Sequence, residues 1–146
     1  MKNNFPDRYE EWIASLPECS KPYYSSNIIV SKFFPLVDAT SLPVKAIADL
    51  FYDGNLAKTS KLVGTFHADY ALKGIYKLFL MVVNPHFLIK KSEAIYKRYY
   101  SESRLIVTEN EQNRAVIQIT GFPLKDIVME TSMGAYTKRG IELAGG

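Results

Sequence analysis

The sequence predicts an α+β domain in which several helices pack on a small antiparallel β-sheet. Three observations predict it. Apolar residues recur at helical spacing over most of the chain. The period changes to two-residue alternation only after residue 104. Asp53-Gly54, Asn84-Pro85 and Gly121-Phe122-Pro123 punctuate the chain between these stretches.

Asn4-Phe5-Pro6 offers a cap and a first-turn proline, and Tyr9, Trp12, Ile13 and Leu16 follow at helical spacing. Pro17 ends this short helix, and the stretch from Glu18 to Ser26 reads as a linker or loop. Ile28-Ile29-Val30 is a short apolar run that suits a strand or a buried turn, and Pro35 breaks whatever follows. Pro43 opens a helix that continues to about Tyr52, where Asp53-Gly54 stops it. The longest helical pattern begins near Ser60 and reaches Val83. Asn84-Pro85 cuts that helix and starts the next, over residues 86–100, with Leu88, Ala94, Ile95 and Tyr99 on its inner side. Leu105 and Val107, then Ala115, Ile117 and Ile119, alternate with polar neighbours, so residues 104–109 and 114–120 read as a hairpin with one buried face. Leu124, Ile127, Val128, Thr131 and Ala135 fall at core spacing on a last helix that weakens around Gly134 or Gly140.

Residues 1–146 read as a single domain, with an N-terminal helix and linker over 1–23 and the core over 24–146. Two strands alone are marginal in water. The hairpin therefore calls for Ile28-Ile29-Val30 as a third strand, for a second copy of the chain, or for a continuation beyond Gly146. Its strands contain no proline and their charges cluster at the ends, which leaves the edges poorly protected. The long helix is expected to cover the hairpin's apolar face.

A hydrophobic content of 47% with 23% charged residues excludes a disordered chain. The net charge of +3 comes from interspersed signs, whereas a dedicated nucleic-acid binder concentrates basic charge, so no nucleic-acid partner is expected. Cys19 is the only cysteine, which excludes an internal disulfide and a multi-cysteine metal site. The first residues, with Asp7, Arg8, Glu10 and Glu11, lack an apolar signal core. The longest apolar run, Leu78-Phe79-Leu80-Met81-Val82-Val83, is far below the ~18 residues of a membrane span. A cytoplasmic location is the resulting expectation.

No phosphate-binding glycine loop and no nucleophile elbow occurs in the chain, so it reads as non-enzymatic. His67 shares a helix face with Gly64, Ala71 and Gly74, beside Ala68 and Tyr70. A lane of small residues admits a second helix closely, which is the favoured reading, or leaves room for a flat ligand with imidazole at its edge. Gly64, His67, Tyr70, Ala71 and Gly74 are thus the candidate ligand-binding residues. His86 follows Pro85 at a helix start and reads as a surface residue. Lys90, Lys91, Lys97 and Arg98 form a basic stripe beside Tyr99 and Tyr100. Glu93, four residues before Lys97, is placed for an ion pair, so the stripe reads as a solvated face, with an acidic partner protein as the competing reading.

From about Tyr24 onward the order of features resembles a bacterial family known from paralogues in myxobacteria, with a looser kinship to 4-vinyl-reductase domains, TRAPP subunits and haem-NO-binding domains. The residues that carry it are Leu62-Val63-Gly64-Thr65-Phe66-His67-Ala68-Asp69-Tyr70-Ala71, Gly74-Ile75-Tyr76, Asn84-Pro85, Tyr99-Tyr100, Gly121-Phe122-Pro123, Gly134 and Leu143-Ala144-Gly145-Gly146. The resemblance implies helices packed on a small antiparallel sheet and a sensory or adaptor role. It also implies a homodimer, and in some relatives a hydrophobic ligand or haem held inside. Relatives continue past the Gly-Gly with a further hairpin.

Haem-NO-binding domains pair a proximal histidine with a Tyr-x-Ser-x-Arg motif. Here Tyr100-Ser101-Glu102-Ser103-Arg104 places Glu102 where the motif has Ser, and a carboxylate there repels a haem propionate. Neither His67 nor His86 lies in the matching pattern. No cofactor is therefore expected. The reading is a non-enzymatic sensory or adaptor domain, dimeric or joined to a protein partner, with room for a small apolar ligand. A haem-binding gas sensor, or an enzyme with an unrecognised site, is the alternative.

Overall fold

The computed structural model of the chain describes residues 5–25, 33–72, 84–122 and 125–145. Ile28-Ile29-Val30, Gly74 and Leu124 lie outside them. The fold is α+β. Among the described residues the regular elements are helices α1 (Tyr9–Ser15), α2 (Leu42–Phe51), α3 (Leu56–Ala71), α4 (Pro85–Tyr96) and α5 (Ile127–Leu143), and strands β1 (Arg104–Glu111) and β2 (Arg114–Thr120). The chain forms two compact units, Met1–Val63 with Asp126–Ser132, and Gly64–Lys125 with Met133–Gly146. The division falls inside α3 and inside α5.

In the first unit Trp12 anchors α1 against α2. It is 3% exposed, and its indole N–H donates to the Pro43 carbonyl at 3.2 Å. Tyr24 meets Trp12 edge-on at 4.9 Å and donates its hydroxyl to the Ala39 carbonyl at 2.6 Å. Burial pushes the Tyr24 phenol up to about 12. The expected linker is therefore a packed segment: Ser20 within it is fully buried, and residues Lys21–Tyr23 form a 3-10 turn. Pro35 does not break the chain but precedes a π-helical turn, Val37–Ser41, that leads into α2. A proline fits just ahead of a helical turn, because the N–H it lacks has no partner there.

At the end of α2, Asp53 and Gly54 both take positive φ, 51° and 73°, and Gly54 returns its N–H to the Ala48 carbonyl at 3.0 Å. The Asn55 side chain then accepts from the Lys58 N–H at 3.0 Å, which starts α3 four residues before the Ser60 expected from sequence. Asp126 caps α5 in the same way, accepting from the Val128 N–H at 2.8 Å, while its second oxygen takes the Ser41 hydroxyl. Ser132 donates to the Ser60 carbonyl at 3.0 Å. Leu16, Val44, Ala48, Thr59, Val128 and Met129 are also buried.

In the second unit the hairpin forms where its period placed it, with the strands closer together than expected and joined by Gln112-Asn113. Its register runs Leu105↔Ile119 and Val107↔Ile117, then Glu109↔Val116, so Thr108 bulges out. Past the bulge the alternation changes phase. Val116 is half-buried and Ala115, expected inside, is exposed. α5 does not weaken at Gly134 or Gly140 but runs on to Leu143. At Gly140 it lies against Leu88 and Leu72.

Candidate functional site

α3 carries the small residues, yet the buried lane is Ser60, Gly64 and Ala68, at four-residue steps. His67 and Ala71 are exposed, and Tyr70 is 69% exposed. The packing expected of His67 against a second helix is thus corrected: Gly64 is inside, and His67 stands at the rim of the lane. The reason is angular. At 100° per residue His67 falls 20° to one side of Ser60, whereas the buried Gly64 and Ala68 fall 40° and 80° to the other. Phe66 lies beside His67, its ring centroid 6.3 Å away, and stacks on Tyr70 at 6.2 Å. Crowding by protein lowers the His67 pKa from its ordinary value through desolvation. The exposed side of the ring keeps contact with water, which limits the desolvation.

The second candidate group sits on α4. Asn84 accepts from the Phe87 N–H at 2.9 Å and so caps the helix, as its sequence predicted. The helix ends at Tyr96, short of the expected residue 100. Its buried side carries Ile89 and Tyr96, whereas Ala94, Ile95 and Tyr99, expected inside, are exposed. Three ties fasten α4 along β1. At one end, Asn110 donates its amide to the His86 carbonyl at 3.0 Å, and its side-chain oxygen faces His86 Nδ1 at 2.8 Å. The amide orientation assigns the proton to Nδ1. In the middle, Glu93 accepts from the Val107 N–H at 2.8 Å. At the other end, the Tyr96 hydroxyl meets Ser103 Oγ at 2.6 Å. The helix laid along β1 is α4, and Glu93 satisfies one strand donor that sequence reasoning left unprotected.

Glu93 is therefore spent on the strand and not on Lys97. A carboxylate bond to a backbone N–H is stronger than an exposed i,i+4 pair, which is worth only ~0.3–0.5 kcal/mol. Among the described residues Lys90, Lys91, Lys97 and Arg98 form no ion pair, and all four are exposed. Lys91 lies over the Phe87 ring at 5.5 Å.

Around the Tyr100–Arg104 stretch, Tyr100 stacks on Tyr96 at 4.5 Å and meets Phe122 edge-on at 6.4 Å. Burial pushes its phenol up to about 12. Ser103 is engaged with Tyr96, while Glu102 and Arg104 are exposed. Among the described residues no group of three or more His, Cys, Asp or Glu is arranged to hold a metal ion. No described helix is long and apolar enough to cross a membrane.

Sequence reasoning missed the α4–β1 ties. The only signal for them was the placement of Glu93 and Asn110, polar residues whose partners lie 14 and 24 positions away. Comparison of the chain with family models, with curated proteins and with solved structures returned no match.

Proposed function

We propose that the protein is a non-enzymatic sensory or adaptor domain that works by pairing with a second copy of itself or by engaging a partner protein, with a small apolar ligand as a further candidate. The observation that carries the reading is the hairpin. Not one residue of β1 or β2 is buried, although Leu105, Val107, Ile117 and Ile119 line one face. Apolar side chains held half-exposed on paired strands gain roughly 25 cal/mol for each Å² that an association removes from water. Two-fold pairing is the commonest symmetry for such an association, and it accords with the dimeric relatives that the sequence resembles.

The test is the mass in solution. Light scattering at micromolar concentration is expected to give twice 16.6 kDa. Ile117→Glu, which places a charge on the apolar face, is expected to return it to one chain. A wild-type mass that stays at one chain on concentration sinks the pairing reading.

A further inference from the structure

Charge is divided unevenly between the two units. The second holds eleven basic and six acidic residues, a formal +5, and the first holds seven and nine, a formal −2. Alternation of signs along the sequence conceals this division. Within the second unit Asp69, Glu109 and Glu142 are engaged with Arg139, Arg114 and Lys138. Glu93 is bonded to the Val107 N–H. Among the described residues, four of the six cations of this unit that form no ion pair, Lys90, Lys91, Lys97 and Arg98, lie on α4 and the turn after it, and the other two are Arg104 and Lys125.

We propose that the outward face of α4 docks an acidic amphipathic helix of a partner protein; this rests on the adaptor reading and names its partner. At 100° per residue, Ala94 stands opposite the buried side marked by Ile89 and Tyr96. Lys90 and Lys97 run along one flank of Ala94, and Lys91 and Arg98 along the other. Members of each pair are seven residues apart, with Lys97 and Arg98 in the turn just past the helix end at Tyr96. Phe87, 39% exposed, falls on the same line as Ala94.

A small residue at the centre lets a second helix approach to the 8–10 Å of ordinary helix packing. Two flanking rows of cations match two rows of carboxylates beside an apolar seam, as in charged coiled-coil flanks. The face is also held in place beforehand, because the ties through His86, Glu93 and Tyr96 fasten the helix along β1, which reduces the ordering cost of binding. A lipid surface suits the face less well. Interfacial helices sink large apolar side chains, and Ala94 occupies the centre of the ridge. Lys97 and Arg98 also complement the negative end of the helix dipole, but Lys90 and Lys91, in mid-helix, gain nothing from it.

The probe is a labelled synthetic helical peptide in which rows of Glu flank a line of Leu, followed by anisotropy at low salt and by amide shifts in NMR. Binding is expected, with shifts centred on Phe87, Ala94 and Arg98 and an affinity that falls as salt is raised. The charge reversal Lys90→Glu with Lys97→Glu is expected to weaken binding roughly tenfold or more. Ala94→Gln, an exposed change that leaves every charge in place, is expected to weaken it as well. Failure to bind, binding indifferent to both variants, or tighter binding to phosphatidylserine vesicles or an oligothymidine strand overturns the proposal. Loss of peptide binding with a persistent dimer mass removes this docking surface and leaves the adaptor reading standing. A monomer that binds the peptide does the reverse to the pairing reading.

Discussion

At the scale of single residues, two glycines make opposite demands. Gly121 has φ +86°, and a Cβ there would stand 2.9 Å from the Glu102 carbonyl oxygen. A side chain meets both a disfavoured backbone region and a backbone atom, so Gly121→Ala is expected to destabilise by roughly 1–3 kcal/mol in urea unfolding. Gly134 lies mid-helix in α5, and a Cβ there meets nothing within 4 Å. Gly134→Ala is expected to stabilise by about 0.5–1 kcal/mol, because alanine loses less backbone freedom on folding. Equal and opposite failure of these two signs in the same assay would refute the backbone reading of both sites. His67 provides a third residue-level expectation. Its folded pKa lies below the ordinary 6.5, so the unfolded chain binds the proton more readily. The contribution is present above pH 6.5 and is lost as pH falls below it. Melting temperatures of His67→Gln are therefore expected to fall less steeply between pH 7 and 5 than those of the parent chain; identical slopes count against it.

At the scale of elements, α4 and β1 behave as one piece. Glu93→Ala removes the acceptor of a strand N–H, while Glu93→Gln retains a side-chain oxygen. The alanine variant is expected to lose about 0.5–1.5 kcal/mol and the glutamine variant less. Hydrogen exchange at the Val107 amide is the direct readout, and equal protection in both variants would show that the tie is unimportant. Tyr96→Phe removes the partner of Ser103, which is 8% exposed, and a similar loss is expected there. Neither tie was readable from the helix itself. Glu93 sits four residues before Lys97, and the local rule assigns it to that lysine. The strand N–H that wins it is fourteen positions away.

At the scale of the molecule, the two association surfaces differ in chemistry and so in their response to salt. Pairing through Leu105, Val107, Ile117 and Ile119 buries apolar area and is expected to persist, or strengthen, in high sulfate. Docking on Lys90, Lys91, Lys97 and Arg98 is screened over about 8–10 Å at physiological ionic strength and is expected to weaken. Light scattering and peptide anisotropy across one salt series separate the two. A dimer that dissociates with rising salt would assign the pairing to charge and not to the hairpin.

The sequence by itself determined the stop of α2, the start of α4 and the change to strand period. Asn84-Pro85 and Asp53-Gly54 act through their own caps and dihedrals, and the alternation after Arg104 is a property of neighbouring residues. Each of these depends on interactions only a few positions apart, which a linear pattern contains. Tertiary structure alone decided the phase of the hairpin beyond Thr108, which turned Ala115 outward. It also decided which edge of the α3 lane His67 occupies and that Ser41 reaches Asp126 across 85 positions. Those outcomes depend on which distant groups compete for one side chain or one face. A bulge, a strand N–H or a second helix settles that competition only once the chain has folded back on itself.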